Sequence, residues 1–258
     1  MRWLSFAEQC IDGYFAAIPR PKPSIEAISR ARVIAHRGAH DNKQGIFENT
    51  LTAFSLAQQC GCWGLELDIH ATADGVLVVN HDPTLERLWK HKVAIAALTF
   101  EQLRALEPGV PQLIEVIEAF PDMHLFIELK APFSAEEALS EALAGLNPGH
   151  DYHLLALEAE TFEQLNHIPQ EARLLVAMHN NVKQFCALSL SKHYGGVMGS
   201  YLLMSNNIRN QLAAAGQMSG VGFIDSKNSL YRELNRGVSW LFTNQAVKLS
   251  GYLNEAMK

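Results

Sequence analysis

The sequence predicts an α/β fold: a (β/α)₈ barrel with a short β-hairpin insertion after strand 2 and an extra N-terminal helix. Three observations carry this. Strand-length apolar runs begin near Val33, Leu65, Leu125, His153, Arg173, Gly196, Val221 and Trp240, and amphipathic segments of helix length separate them. The chain has 258 residues, close to the roughly 250 that one such barrel needs. No G-x-G-x-x-G follows the first run, so the rival doubly wound sheet lacks its dinucleotide fingerprint.

Taken in order, the chain opens with Trp3, Leu4, Ala7, Cys10, Ile11, Tyr14 and Phe15 at helical spacing, closed by Pro19, Pro21 and Pro23. This divides it into a helix and Pro-rich linker over 1–23 and a single barrel domain over 24–258. Such a stripe ordinarily packs against the body of its own domain, with membrane-surface attachment as the rival. Helices are expected over 50–59, 113–120, 135–146, 161–165, 182–190, 208–215 and 230–234, between the strands. One stretch breaks the alternation. More than fifty residues separate the second and third runs, and 76–79 reads as an extra strand after the turn dipeptide Asp74-Gly75. A two-residue loop there pairs Ala73 with Val76 and Thr72 with Leu77, which brings Asp68 opposite His81 on one face.

Composition narrows the function. Hydrophobic residues at 48% and charged residues at 19% supply a sizeable core and exclude disorder over most of the chain. The formal charge is −6 and no basic run stands out, which argues against nucleic acid as a partner. Cys10, Cys60, Cys62 and Cys186 fit neither a zinc knuckle nor a redox CxxC, so reduced thiols are expected. No run reaches the ~18 apolar residues of a membrane span, and the first residues do not resemble a secretory signal, so a cytoplasmic location is expected.

Catalytic residues of such a barrel stand at the C-terminal ends of its strands. The first ends in His36-Arg37-Gly38, the second in Glu66-Leu67-Asp68 and the third in Glu128-Leu129-Lys130. With a period of two, Glu66 and Asp68 share a face, as do Glu128 and Lys130. Three converging carboxylates repel one another unless a hard divalent cation joins them. Mg²⁺ or Ca²⁺ is implied, with Mn²⁺ as an alternative, and Zn²⁺ suits the oxygen-only set less well. Arg37 and Lys130 offer donors to an anion, and Arg suits phosphate. The expected partner is a small phosphate ester. His36 and His81 bracket the place with groups that titrate near neutrality. Glu48, in Glu48-Asn49-Thr50, is either a supporting site residue or part of a helix cap.

These motifs resemble the glycerophosphodiester phosphodiesterase family. The resemblance rests on His36-Arg37-Gly38, Glu48-Asn49-Thr50 with Ala53-Phe54, Glu66-x-Asp68, Thr72-x-Asp74-Gly75, His81-Asp82-x-Thr84-Leu85, Pro111-x-Leu113-x-Glu115-Val116 and Glu128-x-Lys130, in that order. It implies a TIM barrel that hydrolyses glycerophosphodiesters to an alcohol and sn-glycerol 3-phosphate with one divalent cation. By the same resemblance His36 and His81 are the acid/base pair, Glu66, Asp68 and Glu128 the metal ligands, and Arg37 and Lys130 the phosphate contacts. Three departures mark the chain: Phe47 where Pro is common, Phe223-Ile224-Asp225-Ser226 where Trp-Thr-Val-Asn is common, and Asn244 where Asp is frequent. These bear on the alcohol end of the substrate. Two other readings stand beside hydrolysis of glycerophosphodiesters. One is a non-catalytic barrel that binds phosphodiester metabolites, and the other is phospholipase D-like action on lysophospholipids at a membrane surface.

Overall fold

The computed structural model describes residues 13–178 and 180–258. Its strands are β1 (Arg32–His36), β2 (Gly64–Ala71), β3 (Leu77–Val79), β4 (His124–Leu129), β5 (Tyr152–Ala156), β6 (Arg173–Ala177), β7 (Gly196–Ser200), β8 (Met218–Gly222) and β9 (Trp240–Thr243). All but β3 pair in parallel, and β1 bonds both β9 and β2, so eight strands close into a ring. The expected (β/α)₈ barrel is therefore present. The strand at 218–222 starts earlier than its apolar signal at Val221 because Ser219 and Gly220 carry no β-forming side chain.

β2 shows how alternation builds the site. Leu65, Leu67 and Ile69 are fully buried in the layer between ring and helices, and each such burial contributes roughly 1.5–3 kcal/mol. Their neighbours Glu66 and Asp68 must then face the barrel axis. Inside the ring, Ile34, Phe126, Leu155, Leu174, Met198 and Phe242 pack together beneath the mouth. The N-terminal end of the ring is filled by rings rather than aliphatics. Trp63 stacks on His124 at 4.6 Å, Phe126 stacks on His153 at 5.7 Å, and Trp240 packs edge-on against both histidines. His124 Nδ1 lies 2.7 Å from the His150 carbonyl, so it carries the hydrogen, and Nε2 is left to accept from His153 Nδ1 at 2.8 Å.

The hairpin after β2 exists, with a register one residue away from the expected one. Ile69 pairs with Val79, His70 with Val78 and Ala71 with Leu77, and Asn80 rather than His81 bonds Asp68 across the pair. The loop is the three-residue Ala73-Asp74-Gly75, with Gly75 left-handed at φ 82° and Val76 N–H bonded to Thr72 Oγ1. Asp-Gly occupies the last two loop positions instead of forming the whole loop. The inserted segment carries its own apolar cluster of Val78, Leu85, Ile95, Leu103 and Val110.

Of the N-terminal stripe, Trp3, Leu4, Ala7, Cys10 and Ile11 lie outside the described residues. Tyr14 is exposed, whereas Phe15 packs edge-on against Tyr201 at 6.0 Å and lies under the Arg232 guanidinium. Among the described residues no helix is long and apolar enough to cross a membrane.

Candidate active site

His36 is the last residue of β1, and the chain turns sharply behind it. Arg37 is left-handed at φ 55° and Gly38 at φ 78°. A Cβ on Gly38 would stand 2.8 Å from the Ala53 backbone, so only glycine allows this turn to lie against the helix Leu51–Gln59. That turn aims the Arg37 N–H at Glu66 Oε2, 2.9 Å away. The Arg37 guanidinium reaches back to Glu48 Oε1 at 3.1 Å and Asp68 Oδ2 at 3.3 Å. Glu48 is therefore a member of the cluster, and the capping role belongs to Thr50, whose Oγ1 accepts from Ala53 N.

Glu66, Asp68 and Glu128 are buried, and one carboxylate oxygen from each lies within 4.8 Å of the others. Lys130 Nζ sits 2.6 Å from Asp68 Oδ1 and also pairs with Glu128. Three acids face two fixed cations, which leaves one negative charge without a partner. The titration behaviour reflects that imbalance. Burial and the Asp68 and Glu128 charges push the Glu66 carboxyl well up. Burial and Asp68 raise Glu128 against the pull of Lys130. Burial also works against Asp68, but Lys130, Arg37 and His81 together hold it at about 2. A buried, oxygen-only set with an excess negative charge fits a hard divalent cation. The cluster can hold such an ion.

The two imidazoles are anchored differently. His36 Nδ1 is 2.7 Å from Asn244 Oδ1, just past β9, and its Nε2 is 3.8 Å from Glu66 Oε2. Burial first, and Arg37 second, lower His36 to about 4. His81 Nδ1 is 2.8 Å from Asp82 Oδ1. It comes near Asp68 and Glu128 although the register differs, because the chain leaves the strand after β3. Asp82 is in turn bonded by Arg87 Nε, and Arg87 Nη2 holds Glu48 Oε1 at 2.6 Å. Burial favours the neutral Glu48 acid, yet Arg87 and Arg37 prevail and lower its pKa.

All eight residues singled out from the sequence, His36, Arg37, Glu48, Glu66, Asp68, His81, Glu128 and Lys130, thus meet at one end of the ring. Four others join them: three were not expected as site residues, and Asn244, expected to bear on the alcohol end of the substrate, instead anchors His36. Asn49, left-handed at φ 57°, donates from Nδ2 to Asp68 Oδ2 at 2.8 Å, while Asp82, Arg87 and Asn244 act as described. Position within the Glu48-Asn49-Thr50 and His81-Asp82 motifs was the available signal for two of them. His70 bonds the His81 carbonyl at 3.1 Å, and His91 and His150 pair with Glu107 and Asp151 away from the cluster.

Comparisons with known proteins point the same way. The Glycerophosphoryl diester phosphodiesterase family profile matches residues 36–184. A glycerophosphodiester phosphodiesterase of Caldanaerobacter subterraneus subsp. tengcongensis is 28% identical over 233 residues, covering 82% of this chain and 93% of that protein. Glycerophosphodiester phosphodiesterase 1 of Rattus norvegicus is 40% identical over 109 residues, covering 40% of this chain and 31% of the relative. Among solved structures, the Agrobacterium tumefaciens glycerophosphodiester phosphodiesterase superposes with a TM-score of 0.74 at 22% identity, covering 86% and 99% of the two chains. An Oleispira antarctica phosphodiesterase, solved with its product sn-glycerol-3-phosphate, gives 0.71 at 22% identity over 88% and 99%. The structures establish a shared fold. The profile spans more than half of the chain and every one of the eight site residues, and on that ground the protein is an enzyme of the glycerophosphoryl diester phosphodiesterase family.

Proposed function

We propose that this enzyme hydrolyses glycerophosphodiesters to an alcohol and sn-glycerol 3-phosphate by histidine acid-base catalysis, with a divalent cation held by Glu66, Asp68 and Glu128. One observation carries the reading: two imidazoles flank a buried carboxylate cluster, each with Nδ1 tied to an oxygen acceptor, so each offers Nε2 for chemistry. When bound, the cation would neutralise the phosphodiester and the charge it develops in the transition state. Arg37 and Lys130 add fixed positive charge and orient the phosphate.

The anchors divide the labour. Asn244 is a neutral amide whose hydrogen bond raises His36 less than burial and Arg37 lower it, so the uncharged ring is favoured. His36 is the general base that takes the proton from the attacking oxygen. His81 Nδ1 is held by the Asp82 carboxylate, which turns Nε2 toward the cluster, and it gives a proton to the leaving alcohol. The ion for this site is Mg²⁺, Ca²⁺ or Mn²⁺.

The test uses His36→Ala and His81→Ala on an alkyl and a nitrophenyl ester of glycerophosphate. Each substitution should lower kcat on the alkyl ester by about 10²–10⁴-fold, and the nitrophenyl ester, whose leaving group needs no proton, should rescue His81→Ala alone. Near wild-type turnover in both variants would end the assignment.

A further inference from the structure

The end of β2 opposite the acidic cluster carries a chemistry that hydrolysis does not use. The helix Leu51–Gln59 stops at Cys60, and Gly61 follows with φ 83°, a left-handed conformation that glycine takes without strain. Two hydrogen bonds of 3.0 Å close the turn, from Gly61 N–H to the Gln58 carbonyl and from Cys62 N–H to the Ala57 carbonyl. This helix stop folds the chain back on itself. It sets Cys62 against Cys60 with the sulfurs 3.7 Å apart, although Cys-x-Cys is not the spacing of a redox CxxC. β2 then starts at Gly64 and carries Glu66 and Asp68 toward the mouth.

The two thiols are not equivalent. Cys62 is 5% exposed, whereas Cys60 is half-buried and Gly61 beside it is exposed, with open space where a side chain would stand. The hydrogen bonds run in one direction: Ser250 Oγ lies 3.9 Å from Cys62 Sγ, Cys62 faces Cys60, and Cys60 donates to the Ala57 carbonyl at 3.3 Å. The Cys62 proton thus points at the Cys60 sulfur. That hydrogen bond lowers the Cys60 pKa against the effect of burial, with help from Ser250, while the same bond and burial raise Cys62. Cys60 ionises and meets solvent, and Cys62 holds its proton in reserve. Cys186 is the inert comparison, buried in the helix Val182–Lys192 with its thiol pushed up to about 11 by burial.

We propose that Cys60 and Cys62 are a thiol–disulfide exchange site for small-molecule disulfides, with Cys60 as the nucleophile and Cys62 as the resolving thiol. This site is separate from the proposed hydrolysis and adds a second reactive centre to the chain. In the first step the Cys60 thiolate attacks one sulfur of a disulfide RSSR, which forms a mixed disulfide and releases RS⁻ to take up the proton that Cys60 lost. In the second, the Cys62 sulfur attacks Cys60 Sγ, its proton passes to the departing sulfur, and RSH leaves. Two electrons move from the pair to RSSR, giving one intramolecular disulfide and two RSH. The ring it closes holds only Cys60-Gly61-Cys62, so it removes little entropy from the unfolded chain and adds little stability. Small thiols therefore reopen it.

The test uses the full chain carrying Cys10→Ser, so that Cys186 is the only thiol outside the pair. It is equilibrated in glutathione buffers of graded oxidised fraction, quenched with acid, and read by intact mass after alkylation of the free thiols. The parent chain should lose two alkylation sites in one step, carry no lasting glutathione, and regain both sites in reduced glutathione. Adding Cys62→Ser should trap one glutathione on Cys60, and adding Cys60→Ser instead should slow glutathione capture by about tenfold or more. A lasting glutathione adduct on the parent chain, equal capture rates in the two serine variants, or thiols that stay reduced at every oxidised fraction would each overturn the site. The parent chain needs neither serine substitution, so its two-site step decides the disulfide whether or not those variants fold.

Discussion

The two ends of the barrel each hold a pair of histidines, and the neighbours make them different groups. At the mouth, His36 and His81 sit among three carboxylates, Arg37 and Lys130, with their Nδ1 atoms tied to Asn244 and Asp82. At the floor, His124 and His153 bond each other inside a stack of Trp63, Phe126 and Trp240. Burial lowers His124 to about 4 and His153 to about 3, so both are neutral rings there. The floor uses imidazole as a flat, hydrogen-bonded filler. The mouth keeps buried charge that packing alone does not balance.

The sharpest way to break this comparison is to exchange the consequences of mutation between the ends. His36→Ala or His81→Ala should cost about 10²–10⁴-fold in kcat, about 3–5 kcal/mol of barrier, with the melting temperature little changed. His153→Ala should do the reverse, with a lower melting temperature and a retained kcat. Thermal melts and steady-state kinetics on the same preparations decide it, and a floor variant that loses kcat without losing stability would merge the two ends.

Acid titration separates the ends next. The floor histidines have folded pKa values below the unfolded 6.5, so they bind fewer protons folded than unfolded. Their contribution is present in full above pH 6.5 and is lost as pH falls toward 4 and then 3, about 3 kcal/mol for His124 and about 5 kcal/mol for His153 taken singly. Asp68, held at about 2 against an ordinary 3.8, gives its own contribution above pH 3.8 and loses it only toward pH 2. Urea melts from pH 7 to pH 3.5 should therefore show a floor-dependent limb that His153→Leu flattens. An unchanged limb in that variant would assign the loss elsewhere.

A smaller effect tests the charge imbalance at the mouth. A divalent cation at a hundred times its Kd should stabilise the wild type by about 2.7 kcal/mol, and Glu66→Gln should remove most of that gain. Calorimetry with Mg²⁺, Ca²⁺ and Mn²⁺ reads the difference, and an equal gain in Glu66→Gln would move the ion away from the cluster. Arg87 should give the smallest change. It ties Asp82 to Glu48, so Arg87→Ala should lower kcat by about tenfold and Arg87→Lys should recover part of it, because a lysine restores charge without the fork.

Much of this was readable in the sequence, for physical reasons that also set its limits. Strand positions followed from runs of apolar residues, and Glu66, Asp68, Glu128 and Lys130 followed from the period of two, since both signals are local and repetitive. The hairpin register was less accessible. Asp-Gly serves either as a whole two-residue loop or as the end of a three-residue one, and the Thr72 side chain bonded to Val76 selects the latter. Arg87 and Asn244 carried no periodic mark at all. Each matters through one side-chain contact across loops, and the partners of such contacts are set only when the ring closes.

The His36 to Asn244 bond joins groups 208 positions apart in the chain. A ribosome makes the histidine early and its anchor near the end, after β9 has been synthesised. A nascent chain bearing every acid, Arg37, Lys130 and both imidazoles would still lack the atom that turns His36 the right way. A chain that ends before residue 244 carries every charged group of the site but not the oxygen that orients His36.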